Sequence, residues 1–179
     1  MKRLNTALLA LLTSLLLSAC TPATESYRNA TPAFALEEFF NGPLVAYGMI
    51  QDRSGTVLRR FEATLEGTWE GNQGVLAEWF VYDDGERQER TWYLTKHSDG
   101  SYSGTASDVV GEARGTPQGF ALNWRYTLQV PMEDDIWEFQ LDDWMYLINE
   151  RGLINRTAMK KFGIRVADLT LWIEKKPTE

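Results

Sequence analysis

From Leu44 onward the chain alternates apolar and polar residues with a period of two, most clearly at Phe120, Leu122, Trp124, Tyr126, Leu128 and Val130. Ala121, Asn123, Arg125, Thr127 and Gln129 fill the gaps. Successive strand side chains point to opposite faces, so this run predicts a strand with one buried face. Phe61, Ala63 and Leu65 alternate in the same way with Arg60, Glu62, Thr64 and Glu66. Further strands are expected over Leu44 to Gln51, Val75 to Tyr82, Gln88 to Lys96, Ser101 to Ser107, Ile136 to Ile148, Gly152 to Arg156 and Val166 to Glu174. Two places break the period. Leu36, Phe39 and Phe40 have near-helical spacing before an Asn41-Gly42 stop, which predicts a short amphipathic helix over Phe34 to Gly42. Thr157 to Gly163 reads as one helical turn, with Thr157 as its cap.

Polar, Gly-containing segments such as Asp52-Arg53-Ser54-Gly55, Gly71-Asn72-Gln73-Gly74 and Asp83-Asp84-Gly85-Glu86 separate the strands, as tight antiparallel hairpins require. About eight to ten strands must hide their edges in a closed barrel or in two packed sheets. The expectation is an all-β, antiparallel up-and-down barrel similar in architecture to lipocalins, with the short N-terminal helix as a lid over one end. A β-sandwich is the alternative. Gly67-Thr68-Trp69 matches the G-x-W triplet of lipocalins, but it ends the second strand here, where Trp69 is equally ordinary core.

The first residues have a different character. Lys2 and Arg3 precede a Leu/Ala-rich core from Thr6 to Leu17, and Leu17-Ser18-Ala19-Cys20 follows. That core has the length of a signal-peptide core and is shorter than a membrane span. The tetrapeptide resembles the lipobox of bacterial lipoproteins, which implies cleavage before Cys20, thioether lipidation of its sulfur and acylation of the new amino group. Several acyl chains hold a protein on a membrane stably. The organisation expected is a signal peptide over 1–19, a lipidated flexible tether over 20–33 and one barrel domain over 34–179. Thr21 stands where inner-membrane lipoproteins usually carry an aspartate, so the periplasmic face of the outer membrane is expected, and that of the inner membrane is the alternative.

Loss of the leader takes the formal charge from −7 to −9, because Lys2 and Arg3 go with it. This sign disfavours nucleic acid as a partner. Cys20 is the only cysteine, so an exported domain folds without disulfides. His97 is the only histidine and sits beside a turn, where exposure is expected. Neither a Cys/His zinc site nor a familiar acyl-transfer triad can be assembled, and no cofactor is implied. Asp83-Asp84 and Asp134-Asp135 fall in turns.

Asp142-Asp143 differs, because it interrupts an apolar segment. Strand geometry sends the two carboxylates to opposite faces, and Asp143 then shares a face with Trp137, Phe139, Leu141, Met145 and Leu147. A buried carboxylate requires partners. It is either a structural hydrogen-bonding group or a bulge, or else a polar handle in a pocket with Trp124, Arg125 and Tyr126. Leu76, Ala77, Trp79, Phe80 and Val81 make another strand apolar on both faces, whose outer side needs cover from the helix, the Thr157 turn, a partner protein or the membrane.

Taken with the lipobox, the segments Phe39-Phe40-Asn41-Gly42, Gly48-Met49-Ile50-Gln51-Asp52, Gly67-Thr68-Trp69, Asp142-Asp143-Trp144-Met145-Tyr146 and Asn155-Arg156-Thr157 resemble a proteobacterial lipoprotein family of unknown function. The resemblance implies the address and a single domain, and it carries over no functional residue but Cys20. Two functions fit: a non-enzymatic barrel binding a small apolar or amphipathic molecule such as a lipid or fatty acid, or an envelope accessory protein docking a partner through Val75 to Val81.

Overall fold

The computed structural model describes residues 24–132 and 135–177. Cys20 and the leader lie outside them. Ten strands form a closed antiparallel barrel: β1 (Gly42–Asp52), β2 (Val57–Glu70), β3 (Gln73–Tyr82), β4 (Arg87–Lys96), β5 (Tyr102–Thr105), β6 (Val109–Gln118), β7 (Ala121–Met132), β8 (Asp135–Leu147), β9 (Gly152–Lys161) and β10 (Ile164–Lys175). Each strand pairs with its neighbours in sequence, and β10 returns to β1 from Leu44↔Lys175 to Asp52↔Ala167. An even number of alternating strands lets that closing pair be antiparallel too, which leaves no terminal edge. The sandwich is thereby excluded.

The helix is one turn, α1 (Leu36–Phe39), and it plugs one end of the barrel. Phe34, Leu36, Phe39 and Phe40 are all buried there. Four side chains of this size remove enough apolar surface from water to fix a segment too short to be helical alone. Glu37 pairs with Lys96 and Tyr102, and the Phe34 amide donates to the Gly119 carbonyl at 2.7 Å. The G-x-W triplet seats the plug. Trp69 Nε1 donates to the Phe40 carbonyl at 3.0 Å, and a Cβ at position 67 would collide with that same carbonyl.

Three expectations change. Thr157 caps no helix: β9 runs on to Lys161, paired with β8 and β10, and Thr157 is buried inside it. Sheet pairing on both sides outweighs a local capping pattern. A strand unforeseen in the sequence, β6, lies where Gly111, Gly115 and Pro117 dilute the alternation, and its register shifts between Val110 and Arg114, around a Gly111 with φ +69°. The segment before Phe34 is not wholly free of the barrel. Thr24–Tyr27 forms a 3₁₀ turn, and the Tyr27 ring packs on Phe120, Trp144 and Tyr146 at centroid distances of 5.0, 6.3 and 6.0 Å.

Candidate ligand site in the barrel lumen

Inward-facing residues of β1, β2, β3, β4, β7, β8, β9 and β10 enclose a cavity of ≈ 110 Å³. Most of its wall is apolar, including Leu65, Leu76, Leu94, Leu171 and Ile173, with Leu36 and Phe40 closing the plugged end. Polar groups enter at Glu78, Arg90, Tyr126, Asp143 and Asn155. The cavity approaches the roughly 150 Å³ that takes a benzene-sized molecule and is narrower than a drug-sized site.

Arg90 and Glu78 face each other directly across β3 and β4. Arg90 grips Asp108 with Nε and Nη2 at 2.7–3.0 Å, and its Nη1 lies 3.7 Å from Glu78 Oε2. Burial alone would push the guanidinium down, but the Asp108 hydrogen bonds and the Glu78 charge outweigh it and hold Arg90 above its usual range. Glu78 Oε2 is buried with no donor among the described residues. Burial pushes the Glu78 carboxyl up to about 7 against the pull of the Arg90 charge and of a side-chain hydrogen bond from Trp92.

Asp143 sits on the opposite wall, with 6% of its surface exposed. Asn155 Nδ2 and Thr157 Oγ1 both donate to Oδ1, the latter at 2.9 Å. Burial raises its carboxyl to about 6, and the two hydrogen bonds offset part of that rise. The same desolvation, with the Asp143 charge behind it, raises the Tyr126 phenol. Trp92 stands edge-on to Trp124 at 5.9 Å and to Tyr126 at 5.3 Å, so two indoles border the polar groups.

The four residues expected at a pocket divide. Trp124 and Tyr126 line the lumen with Asp143, and Trp124 lies directly opposite Asp143 in the ladder. Arg125 does not join them. It points outward opposite Asp142 and holds it at 3.3 Å, with Lys160 at 3.5 Å, so Asp142 and Asp143 do face opposite ways. The partners of Asp143 are Asn155 and Thr157, concealed by the helical reading of Thr157. Glu78 and Arg90 stand outside the expected set, although an acid amid Leu76, Ala77, Trp79 and Phe80 carries the same signal as Asp143. His97 is half-buried, its Nε2 2.9 Å from Ser103 Oγ. On β3, Phe80 faces the lumen, and Trp79 and Val75 remain 42% and 38% exposed outside. Neither α1, inside the barrel end, nor β9 covers them.

The wall is interrupted beside β4. β5 pairs with β4 only from Tyr93↔Thr105 to Lys96↔Tyr102, so Arg87 to Trp92 lack a strand partner on that side. The Arg90–Asp108 pair bridges the gap to the β5–β6 connection.

Residues 14–175 match the family described as "Protein of unknown function (DUF3833)". The chain belongs to the DUF3833 family. No curated protein matches the sequence. Among solved structures, this DUF3833 barrel is similar to an S-type phycobiliprotein lyase from Guillardia theta, with a TM-score of 0.59 and 9% identity over 81% of this chain and 95% of that one. A redesigned β-barrel bound to DFHBI aligns with a TM-score of 0.42 and 8% identity, over 76% of this chain and 99% of that one. The ywiB protein from Bacillus subtilis aligns with a TM-score of 0.37 and 16% identity, over 75% and 91%. The likeness to the lyase is one of fold.

Proposed function

We propose that this chain is a bacterial lipoprotein, held through Cys20 at the periplasmic face of the outer membrane, whose barrel binds a small apolar or amphipathic molecule. The observation that carries the binding reading is the lumen: a ≈ 110 Å³ cavity, apolar over most of its wall, with Glu78, Arg90, Asp143 and Asn155 gathered as polar contacts. A few polar groups on an apolar concave wall is the usual build of a ligand site. A phycobiliprotein lyase shares the fold, although fold does not by itself carry function. Native mass spectrometry of the purified protein should find a bound small molecule, and titration with hexanol should change the fluorescence of Trp92 and Trp124. A ligand-free protein whose fluorescence ignores hexanol would overturn the reading.

Anchoring is supported by the Lys2-Arg3 start, the apolar core and the Leu17-to-Cys20 lipobox, which falls inside the family match. Cys20→Ala should abolish labelling by a palmitate analogue and release the protein from membranes. Recovery of the wild-type protein in the inner-membrane fraction would overturn the outer-membrane address.

A second reading is an envelope accessory protein, favoured by the uncovered outer side of β3 at Val75 and Trp79. Trp79→Glu should then abolish co-purification of a protein partner without lowering the melting temperature. Phe80 belongs to the lumen and is no test of that surface.

A further inference from the structure

Resting on the binding reading above, we propose that the polar side of the lumen receives the ammonium head of a short aliphatic amine, with the alkyl tail along the apolar wall, and that it discriminates against free carboxylates. The charged groups facing the cavity or bearing directly on it are the carboxyls of Glu78, Asp108 and Asp143 and the guanidinium of Arg90. Three acids meet one base. Arg125 and Lys160 do not balance them, because both point outward and hold Asp142.

Arg90, the one cation lining the cavity among the described residues, is already engaged. It gives two nitrogens to Asp108 and turns the third toward Glu78, so an incoming carboxylate at that third nitrogen meets the like charge of Glu78. Acceptor capacity, by contrast, is in surplus. Among the described residues Glu78 Oε2 is buried with no donor, and the nearest cation, 3.7 Å away, lies beyond hydrogen-bond reach. Asp143 receives its side-chain hydrogen bonds only on Oδ1, and both come from neutral groups. A ligand that brings donors and positive charge satisfies a carboxylate on either wall, and one that brings acceptors satisfies neither.

A primary ammonium has three donors and no acceptor. A metal cation fits less well, because among the described residues no group of three or more His, Cys, Asp or Glu converges as ligands. The apolar wall at Leu65, Leu76, Leu94, Leu171 and Ile173 takes the tail, and the ≈ 110 Å³ volume limits its length. A chain of about six carbons is comparable to the benzene-sized guests of such cavities.

The test uses the full chain in lipid nanodiscs at pH 8, with empty nanodiscs as the blank, and reads tryptophan fluorescence during titration with hexylamine, hexanol and hexanoate. Hexylamine should bind about tenfold or more tighter than hexanol, and hexanoate more weakly than either. Glu78→Gln should cut the amine-to-alcohol affinity ratio about tenfold. Asp143→Asn gives a second measurement of that ratio should Glu78→Gln fail to fold, as judged by thermal melting. If hexanol binds but hexylamine binds no tighter, or if the ratio survives a folded substitution, this proposal falls and the binding reading stands. If none of the three binds, both fall.

Discussion

Glu78 and Asp143 bury carboxyl groups in a lumen whose single guanidinium is shared, and the cost appears as raised proton affinity, to about 7 and about 6 respectively. Their ordinary values are 4.5 and 3.8, so across roughly pH 4 to 7 the native protein holds protons that the unfolded chain has released. Stability therefore declines as pH rises through that window. For Glu78 the decline is on the order of 3 kcal/mol, at about 1.4 kcal/mol for each unit. Glu78→Gln should flatten this part of the stability-versus-pH curve in urea melts at pH 4.5 and 7.5, and a variant as steep as the wild type would refute the assignment. Arg90 obeys the opposite logic. Arg90→Met leaves Asp108 and Glu78 without their counter-charge, and a loss of roughly 3–5 kcal/mol is expected in the same melts at pH 7.5.

Among the elements, α1 and the 3₁₀ turn before it owe their existence to what they touch. A single helical turn has no stability of its own, and α1 persists because four apolar side chains fill the barrel end while Gly67 lets the Phe40 carbonyl lie flat on β2. Gly67→Ala should lift the plug at a cost of about 1–3 kcal/mol, seen as a melting temperature lower by roughly 3–10 °C. Tyr27 holds the segment ahead of the plug by its ring contacts and by a side-chain hydrogen bond with Tyr146. In Tyr27→Ala, limited proteolysis should cut within residues 24–33 sooner, with the melting temperature little changed.

Across the whole molecule, closure makes each strand depend on both neighbours, and the last strand returns to the first. Such a structure has no strand that can leave alone, so far-ultraviolet dichroism and tryptophan fluorescence should report one coincident unfolding transition. Two separated transitions would show that the barrel opens in stages. The gap between β4 and β6, bridged by Arg90 and Asp108, is where staged opening would begin.

Much of this was written along the chain. Period-two alternation determined the strands of β1 to β4 and β7 to β10, and Gly-containing polar turns made them antiparallel neighbours, because both signals are local. The same alternation turned Asp143 inward and Asp142 outward, and it already set Arg125 apart from Trp124 and Tyr126. Only the tertiary structure decided the rest. Barrel and sandwich share one alternation, and it is the β1–β10 ladder, between the first and last strands, that chooses. Thr157 looks like a cap until β8 and β10 flank it, β6 is too rich in glycine to announce itself, and the Glu78–Arg90–Asp108 group forms only when three separate segments meet. Local periodicity fixes which way a side chain points, and closure of the barrel fixes what it points at.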